Sequence, residues 1–279
     1  MARTFINHTK TAILMGAMMA LFVAVAGMFG EGYLIPALLF GGGMNLVMFF
    51  FSDKLAIAAM RGRELTPENG GDLYRMVDRL RQRAGLPMPR VYLTPHDAPN
   101  AFATGRSPKR SAVAFTQGAV NLLSPHELEG VTAHELAHIK NRDTLISTIA
   151  GTMAGVLAFL AQWGLLLGGH RNQNPLALIA VVIVGAVGAA LLKAAISRSR
   201  EFAADAEGAH IAGTPTGLMS ALATLENLNR RIPMHNPNPA TNNLFIIEPL
   251  TGDAVGRLFA THPPTERRIA ALRSLGTAP

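Results

Sequence analysis

Four stretches of this chain contain no Asp, Glu, Lys or Arg: Thr11–Gly30, Gly32–Ser52, Thr144–His170 and Asn172–Leu192, of 20, 21, 27 and 21 residues. A helix of about 20 apolar residues crosses a hydrocarbon core of about 30 Å. The whole chain is only 15 % charged, against about 25 % for soluble domains. Outside the four stretches the share is about 23 %, because all 43 charges fall in the other 190 residues. The sequence therefore reads as an ordinary globular protein with four membrane-length inserts. Ala24-Val25-Ala26 offers a small-residue cleavage site, but the apolar run before it is longer than a signal-peptide core, so an uncleaved anchor is expected.

Basic residues near segment ends orient such helices. Arg3 and Lys10 precede the first stretch, Lys54, Arg61 and Arg63 follow the second, and only Glu31 lies between. Lys140 and Arg142 precede the third, Lys193, Arg198 and Arg200 follow the fourth, and only Arg171 lies between. Two helical hairpins with basic feet on the cytoplasmic side are expected. The expected organisation is a transmembrane hairpin at 1–52, a cytoplasmic domain made of 53–143 and 193–279, and a second hairpin at 144–192 inserted into it. The net charge of +7 then belongs to the feet of the hairpins. No zinc finger, aromatic RNA-binding motif or basic repeat supports a nucleic-acid partner. Cysteine is absent, which excludes disulfides, thiolate metal sites and a cysteine nucleophile.

The polar segments read as α+β, helix-rich with a small sheet. Asp72–Ala84 has a helical apolar face; Arg90–Leu93, Ala101–Ala103 and Ala112–Thr116 read as short strands. Ser124 and Glu127 form a capping box with Pro125 at the first helical position, so a helix is expected from there to about Arg142. Arg200–Ile211, Pro215–Asn229 and Pro264–Leu275 read as further helices, and 232–243 as a loop. No internal repeat or low-complexity tract is present.

Inside the capped helix stands His134-Glu135-Leu136-Ala137-His138. Residues four apart share a helix face, so both imidazoles can address one ion, while the Glu135 carboxylate reaches a water there. This is the helical H-E-x-x-H zinc pattern with Glu as general base. A third ligand must be His, Asp or Glu. His210, His235 and His262 are candidates downstream; His126 is more than two turns from His134. Glu201 and Asp205, four apart, place two carboxylates on one helix face, where one can bind the metal and the other can hold a ligating imidazole. Spacing alone leaves Glu201 equally open to pairing with Arg198 or Arg200.

The pairing of His134-Glu-Leu-Ala-His138 with Ser197-Arg-Ser-Arg-Glu201-Phe-Ala-Ala-Asp205, with a membrane hairpin between them, resembles the HtpX group of membrane-bound zinc proteases. These are gluzincins, a family that includes the type I CAAX prenyl proteases. Asn100–Gly105 and His262-Pro-Pro-Thr-Glu-Arg-Arg resemble further segments of that group, so the likeness covers nearly the whole chain. It implies a zincin-like metalloprotease domain, one Zn²⁺ per chain held by His134, His138 and Glu201, and Asp205 behind them. It also implies Glu135 as catalytic base, His262 as an oxyanion stabiliser, and Asn100 and Ala101 on an edge strand that pairs with substrate.

The implied activity is endopeptidase cleavage of misfolded or damaged membrane proteins, or of unfolded polypeptide, at the cytoplasmic face of a bacterial inner membrane. The partners are these substrates and the bilayer, with a functional link to other membrane quality-control proteases. The alternatives are a narrow-specificity processing protease of the CAAX type and a non-catalytic zinc scaffold. His138 lies about six residues before the third apolar stretch, so a helix continuing from it would hold the zinc near the bilayer.

Overall fold

The computed structural model describes residues 2–27, 30–150, 198–231 and 263–276. Most of the segment expected to form the second hairpin, the expected loop at 232–243, His235 and His262 lie outside the described residues. Two helices of 26 residues, α1 (Ala2–Gly27) and α2 (Leu34–Ala59), form a hairpin closed by a 3-10 turn at Glu31–Tyr33. Glu31–Ala59 is the one described segment long and apolar enough to cross a membrane; the apolar run of α1 is shorter, Thr9–Ala24. Leu39 and Leu46 of α2 stand exposed, as a lipid-facing helix surface would. Between the helices Asn45 is buried, and its Nδ2 donates to Met15 O at 3.0 Å. Side-chain amides tie apolar helices together in this way.

α2 continues past Asp53 and Lys54, and its last turns rest on a sheet. The strands are β1 (Arg63–Leu65), β2 (Arg90–Thr94), β3 (Ala101–Ser107) and β4 (Arg110–Thr116), in the order β1-β2-β4-β3. β2 and β4 are parallel and the other pairs antiparallel. Side chains alternate across the sheet, as the pleat requires. Tyr92, Phe102, Ala112 and Ala114 pack under Ala56, Ile57 and Met60 of α2. Val91, Ala101, Ala103, Val113 and Phe115 face the opposite way, into the main core. The sheet is thus covered on both faces, and β3 is one of its edges.

On the core side lie α3 (Gly71–Ala84), the short α4 (Gln117–Leu122) and α5 (Pro125–Asn141). α6 (Arg198–Ala212), α7 (Thr216–Arg231) and α8 (Thr265–Gly276) complete the domain. β1 and α4 were not expected from sequence. β1 has no apolar alternation of its own and exists by pairing with β2; α4 is one short turn capped by the Thr116 hydroxyl, which accepts from Ala119 N–H at 3.0 Å.

The capping box opens α5 as expected, with both reciprocal bonds formed. Glu127 does more than cap. Its Oε1 accepts from Ser220 Oγ and Thr224 Oγ1 of α7, each at 2.7 Å. Burial pushes its carboxyl up, but the bonds from Thr224, Ser124 and Ser220 outweigh that and bring it from 4.5 to about 2. Because the folded value lies below the unfolded one, the contribution is complete above about pH 4.5 and lost as pH falls towards about 2. Discounted for solvent screening at the helix end, it is worth about 1–2 kcal/mol. Glu127→Gln is expected to lower the thermal midpoint near neutral pH and to converge with the parent in acid; parallel melting curves across the pH range would contradict this.

α5 does not run on into the third apolar stretch. It ends at Asn141, Arg142 takes the left-handed conformation with φ 57°, and Arg142 N–H and Asp143 N–H close on Ile139 O and His138 O. A helical segment restarts at 144–150. Its Leu145, Ile146 and Ile149 pack with Leu14, Met18, Leu21 and Met48, so the chain leaving the motif helix joins the N-terminal hairpin.

Candidate active site

α5 is buried without interruption from Gly130 to Ala137. A helix without an exposed face is a core helix, and here the polar motif itself lies in the core. Two glycines let its neighbours approach. A Cβ at Gly130 would strike the backbone of Leu218 at the start of α7. A Cβ at Gly208 would lie 2.9 Å from His134 Cα and 3.0 Å from His134 N. α6 is therefore seated directly on the turn of α5 that carries His134.

Gly208→Ala separates two opposing effects. Helix propensity favours alanine by about 1 kcal/mol; overpacking costs about 1–3 kcal/mol. Both clashing atoms are backbone and cannot swing aside, so the second effect wins. The variant is expected to melt lower and to bind metal more weakly, because α6 carries Glu201 and Asp205. Unchanged metal affinity in a titration would show that this close approach does not set the site.

The seating closes a three-residue cluster. His134 Nε2 and His138 Nε2 are 3.1 Å apart. Glu201 Oε2 lies 3.7 Å from the first and Oε1 3.8 Å from the second. One ligand atom from each residue falls within 4.8 Å of the others. His134 and Glu201 are buried, and His138 is partly so.

Each imidazole is backed by its own carboxylate. His134 Nδ1 lies 3.0 Å from Asp205 Oδ1, and His138 Nδ1 lies 3.1 Å from Asp143 Oδ1. Such partners set the tautomer and turn Nε2 towards the ion. Asp205 is in turn gripped at both oxygens by Arg268 of α8, with Nη2 at 2.7 Å and Nε at 2.9 Å. Burial would raise the Asp205 carboxyl, but Arg268 and His134 hold it at about 2. Burial keeps His134 below the usual histidine value against the pull of Asp205, so it presents a neutral ring. For His138 burial acts downward too, but the Asp143 and Glu201 carboxylates prevail and push it up to about 10. The carboxylates here demand positive charge at one buried point. Two imidazole nitrogens and a carboxylate oxygen without sulfur form a donor set that suits Zn²⁺.

Glu135 stands beside this cluster, 4 % exposed. Burial raises its carboxyl, Glu201 adds to that, and His138 and the Ala103 N–H of β3 oppose it, leaving about 7. A carboxylate poised near neutrality can both accept and return a proton.

The pattern of Peptidase family M48 matches residues 67–276, three quarters of the chain, including α5, α6 and α8. The chain belongs to peptidase family M48. A protease HtpX homolog of Desulforapulum autotrophicum is 48 % identical, covering 96 % of this chain and 89 % of its own length. One of Pelotomaculum thermopropionicum is 46 % identical, covering 96 % and 99 %. Among solved structures, Ste24p of S. mikatae superposes with a TM-score of 0.52 at 18 % identity, covering 98 % of this chain and 66 % of that one, a likeness of fold.

Within this M48 fold the other residues singled out from sequence sort cleanly. His210 is exposed on the last turn of α6, away from the cluster, and His126 pairs with Thr216 Oγ1 at 2.9 Å. Ala101 opens edge strand β3. Asn100 precedes it; its N–H donates to Thr116 Oγ1 at 2.8 Å and its C=O accepts from Thr116 N–H at 2.9 Å. Two residues escaped the sequence reading, Asp143 and Arg268. Asp143 lies past the helix end, where spacing rules stop. Arg268 left a faint sign: it shares one helix stripe with Ile269 and Leu272, a charge on an otherwise apolar face.

Proposed function

We propose that this M48 peptidase is an integral-membrane zinc endopeptidase that cleaves misfolded or damaged membrane proteins at the cytoplasmic face. The observation that carries the reading is the convergence of His134, His138 and Glu201 with Glu135 beside them, next to a sheet edge and below an apolar hairpin. A zinc ion held by the three ligands would polarise the scissile carbonyl and acidify a water from 15.7 towards about 7. Glu135 takes the proton of the attacking water and returns it to the leaving amine. Asp143 and Asp205 keep the imidazoles turned inward, and Arg268 keeps Asp205 ionised.

An extended substrate pairs along β3 from Ala101 onward. Because the main chain of Asn100 is engaged by Thr116, its own share falls to the side-chain amide. His262, which immediately precedes the described part of the C-terminal segment, is assigned to the developing oxyanion. The domain order is hairpin 1–52, protease domain 53–143 with 193–279, and inserted hairpin 144–192, in a bacterial plasma membrane with the protease domain in the cytoplasm.

Reporter fusions at Gly32 and Gln173 are expected to read as external; a cytoplasmic signal at either removes that hairpin. With purified protein in liposomes, embedded misfolded substrates are expected to be cut in preference to soluble unfolded chains. Equal cleavage of both, or a single strict recognition motif in a substrate profile, would overturn the quality-control reading.

A further inference from the structure

On the side of the sheet facing α2, the tip of the β3–β4 hairpin meets the end of α2 and the start of β2 around a cleft of about 440 Å³. Lys54, Arg90, Arg106, Lys109 and Arg110 line it. Asp53 is the one acid on its wall among the described residues, and it is paired with Arg90 at 3.1 Å. Among the described residues no carboxylate pairs with the other four cations. Two of them stack on aromatic rings instead: Arg106 lies 4.9 Å from the centroid of Phe50, and Lys54 5.5 Å from that of Phe51. Both rings are about half exposed, at 47 % and 48 %.

The depth of the cleft along α2 indicates what it meets. From Leu34 to Phe51 the helix climbs about 27 Å without a charge, close to the ~30 Å of a hydrocarbon core. The first charges, Asp53 and Lys54, and the two phenylalanines therefore stand at headgroup level. Basic pockets at that level recognise anionic headgroups, and guanidinium N–H groups match phosphate oxygens. Below the cleft, Leu46, Val47 and Phe50 give α2 an exposed apolar flank along which acyl chains can lie. A soluble anion would use the cations and leave that flank bare.

We propose that this cleft binds the phosphodiester headgroup of one anionic phospholipid. The inference goes beyond the proteolytic reading and rests on the part of it that takes α2 as a membrane span. It also has a consequence for the active site. β3 carries both Ala103, whose N–H holds Glu135, and Arg106 in the cleft, which stands where the β3–β4 register shifts between Gly105 and Ser107, so a bound headgroup fastens the end of the strand that lies against the catalytic carboxylate.

The test uses the zinc-loaded full chain in nanodiscs of phosphatidylcholine with and without phosphatidylglycerol, with retained lipid read by native mass spectrometry after gentle delipidation. Retained phosphatidylglycerol is expected, and Arg106→Gln/Lys109→Gln/Arg110→Gln should weaken retention by roughly a hundredfold. Lys109 and Arg110 are exposed at the hairpin turn, so the double variant Lys109→Gln/Arg110→Gln keeps the fold and should weaken retention by at least about tenfold. A charge-matched control, Arg75→Gln/Arg81→Gln/Arg273→Gln, should leave retention unchanged. Equal loss in the control overturns the site in favour of diffuse surface attraction. Inorganic phosphate displacing the lipid at comparable concentration overturns the lipid assignment in favour of a soluble anion. Release of the protein from membranes by alkaline carbonate overturns the membrane reading of α2 and the lipid with it; membrane retention without phosphatidylglycerol binding overturns the cleft alone.

Discussion

Glu135→Gln is expected to keep its metal and lose peptide cleavage by about 10²–10⁴-fold. Glutamine has the same shape, and its amide oxygen can still accept from Ala103 N–H, so the fold and the three-ligand cluster remain. What disappears is a group that can take a proton near neutrality; the parent carboxyl is held at about 7 chiefly by burial. Metal analysis and turnover of a defined peptide, measured on the same preparation, check both halves. Normal turnover would end the general-base assignment, and a variant that cuts nothing because it holds no metal would make Glu135 a structural residue.

The second large effect is the reverse. Glu201→Ala is expected to lose zinc, and activity with it, by more than the about 10–100-fold that outer-shell changes produce. Its two oxygens lie 3.7 and 3.8 Å from the facing imidazole nitrogens. Removing it leaves His134 and His138 alone, short of the three protein ligands a catalytic zinc site uses. Asp143→Asn should fall within the outer-shell range, because it touches only the back of His138. Full metal occupancy in Glu201→Ala would move the third ligand elsewhere. Together the two variants separate holding the metal from moving the proton, which activity alone cannot do.

Much of the local structure was legible. The helix through the motif followed from Ser124, Pro125 and Glu127, and its start is where those residues place it. Its end fell at Arg142 as expected; what was not legible is the left-handed conformation there, which no propensity rule assigns to arginine, and the path of the chain beyond, which depends on packing against α1 and α2. The strands at Arg90, Ala101 and Ala112 were readable, but β1 was invisible because three polar-leaning residues become a strand only when β2 offers its edge. Of the site, His134, Glu135 and His138 could be read from a single helix. Asp143 and Arg268 could not, since one acts from beyond a helix end and the other from a helix far along the chain.

By itself the sequence determined two things about this protein. Spans without charge cannot be ordinary surface, because leaving about 20 consecutive apolar residues in water is unfavourable; and two histidines four apart on a capped helix must share a face. Only the tertiary structure decided which carboxylate joins them. Glu201 and Asp205 were alternatives on one helix face, and an arginine partner was as good a reading for Glu201. The decision comes from Gly208: without a side chain there, α6 descends onto the backbone of His134, which turns Glu201 to the Nε2 side of the imidazoles and Asp205 to the Nδ1 side, where Arg268 locks it. That choice depends on how closely two helices distant in the chain can approach, and no local spacing carries it.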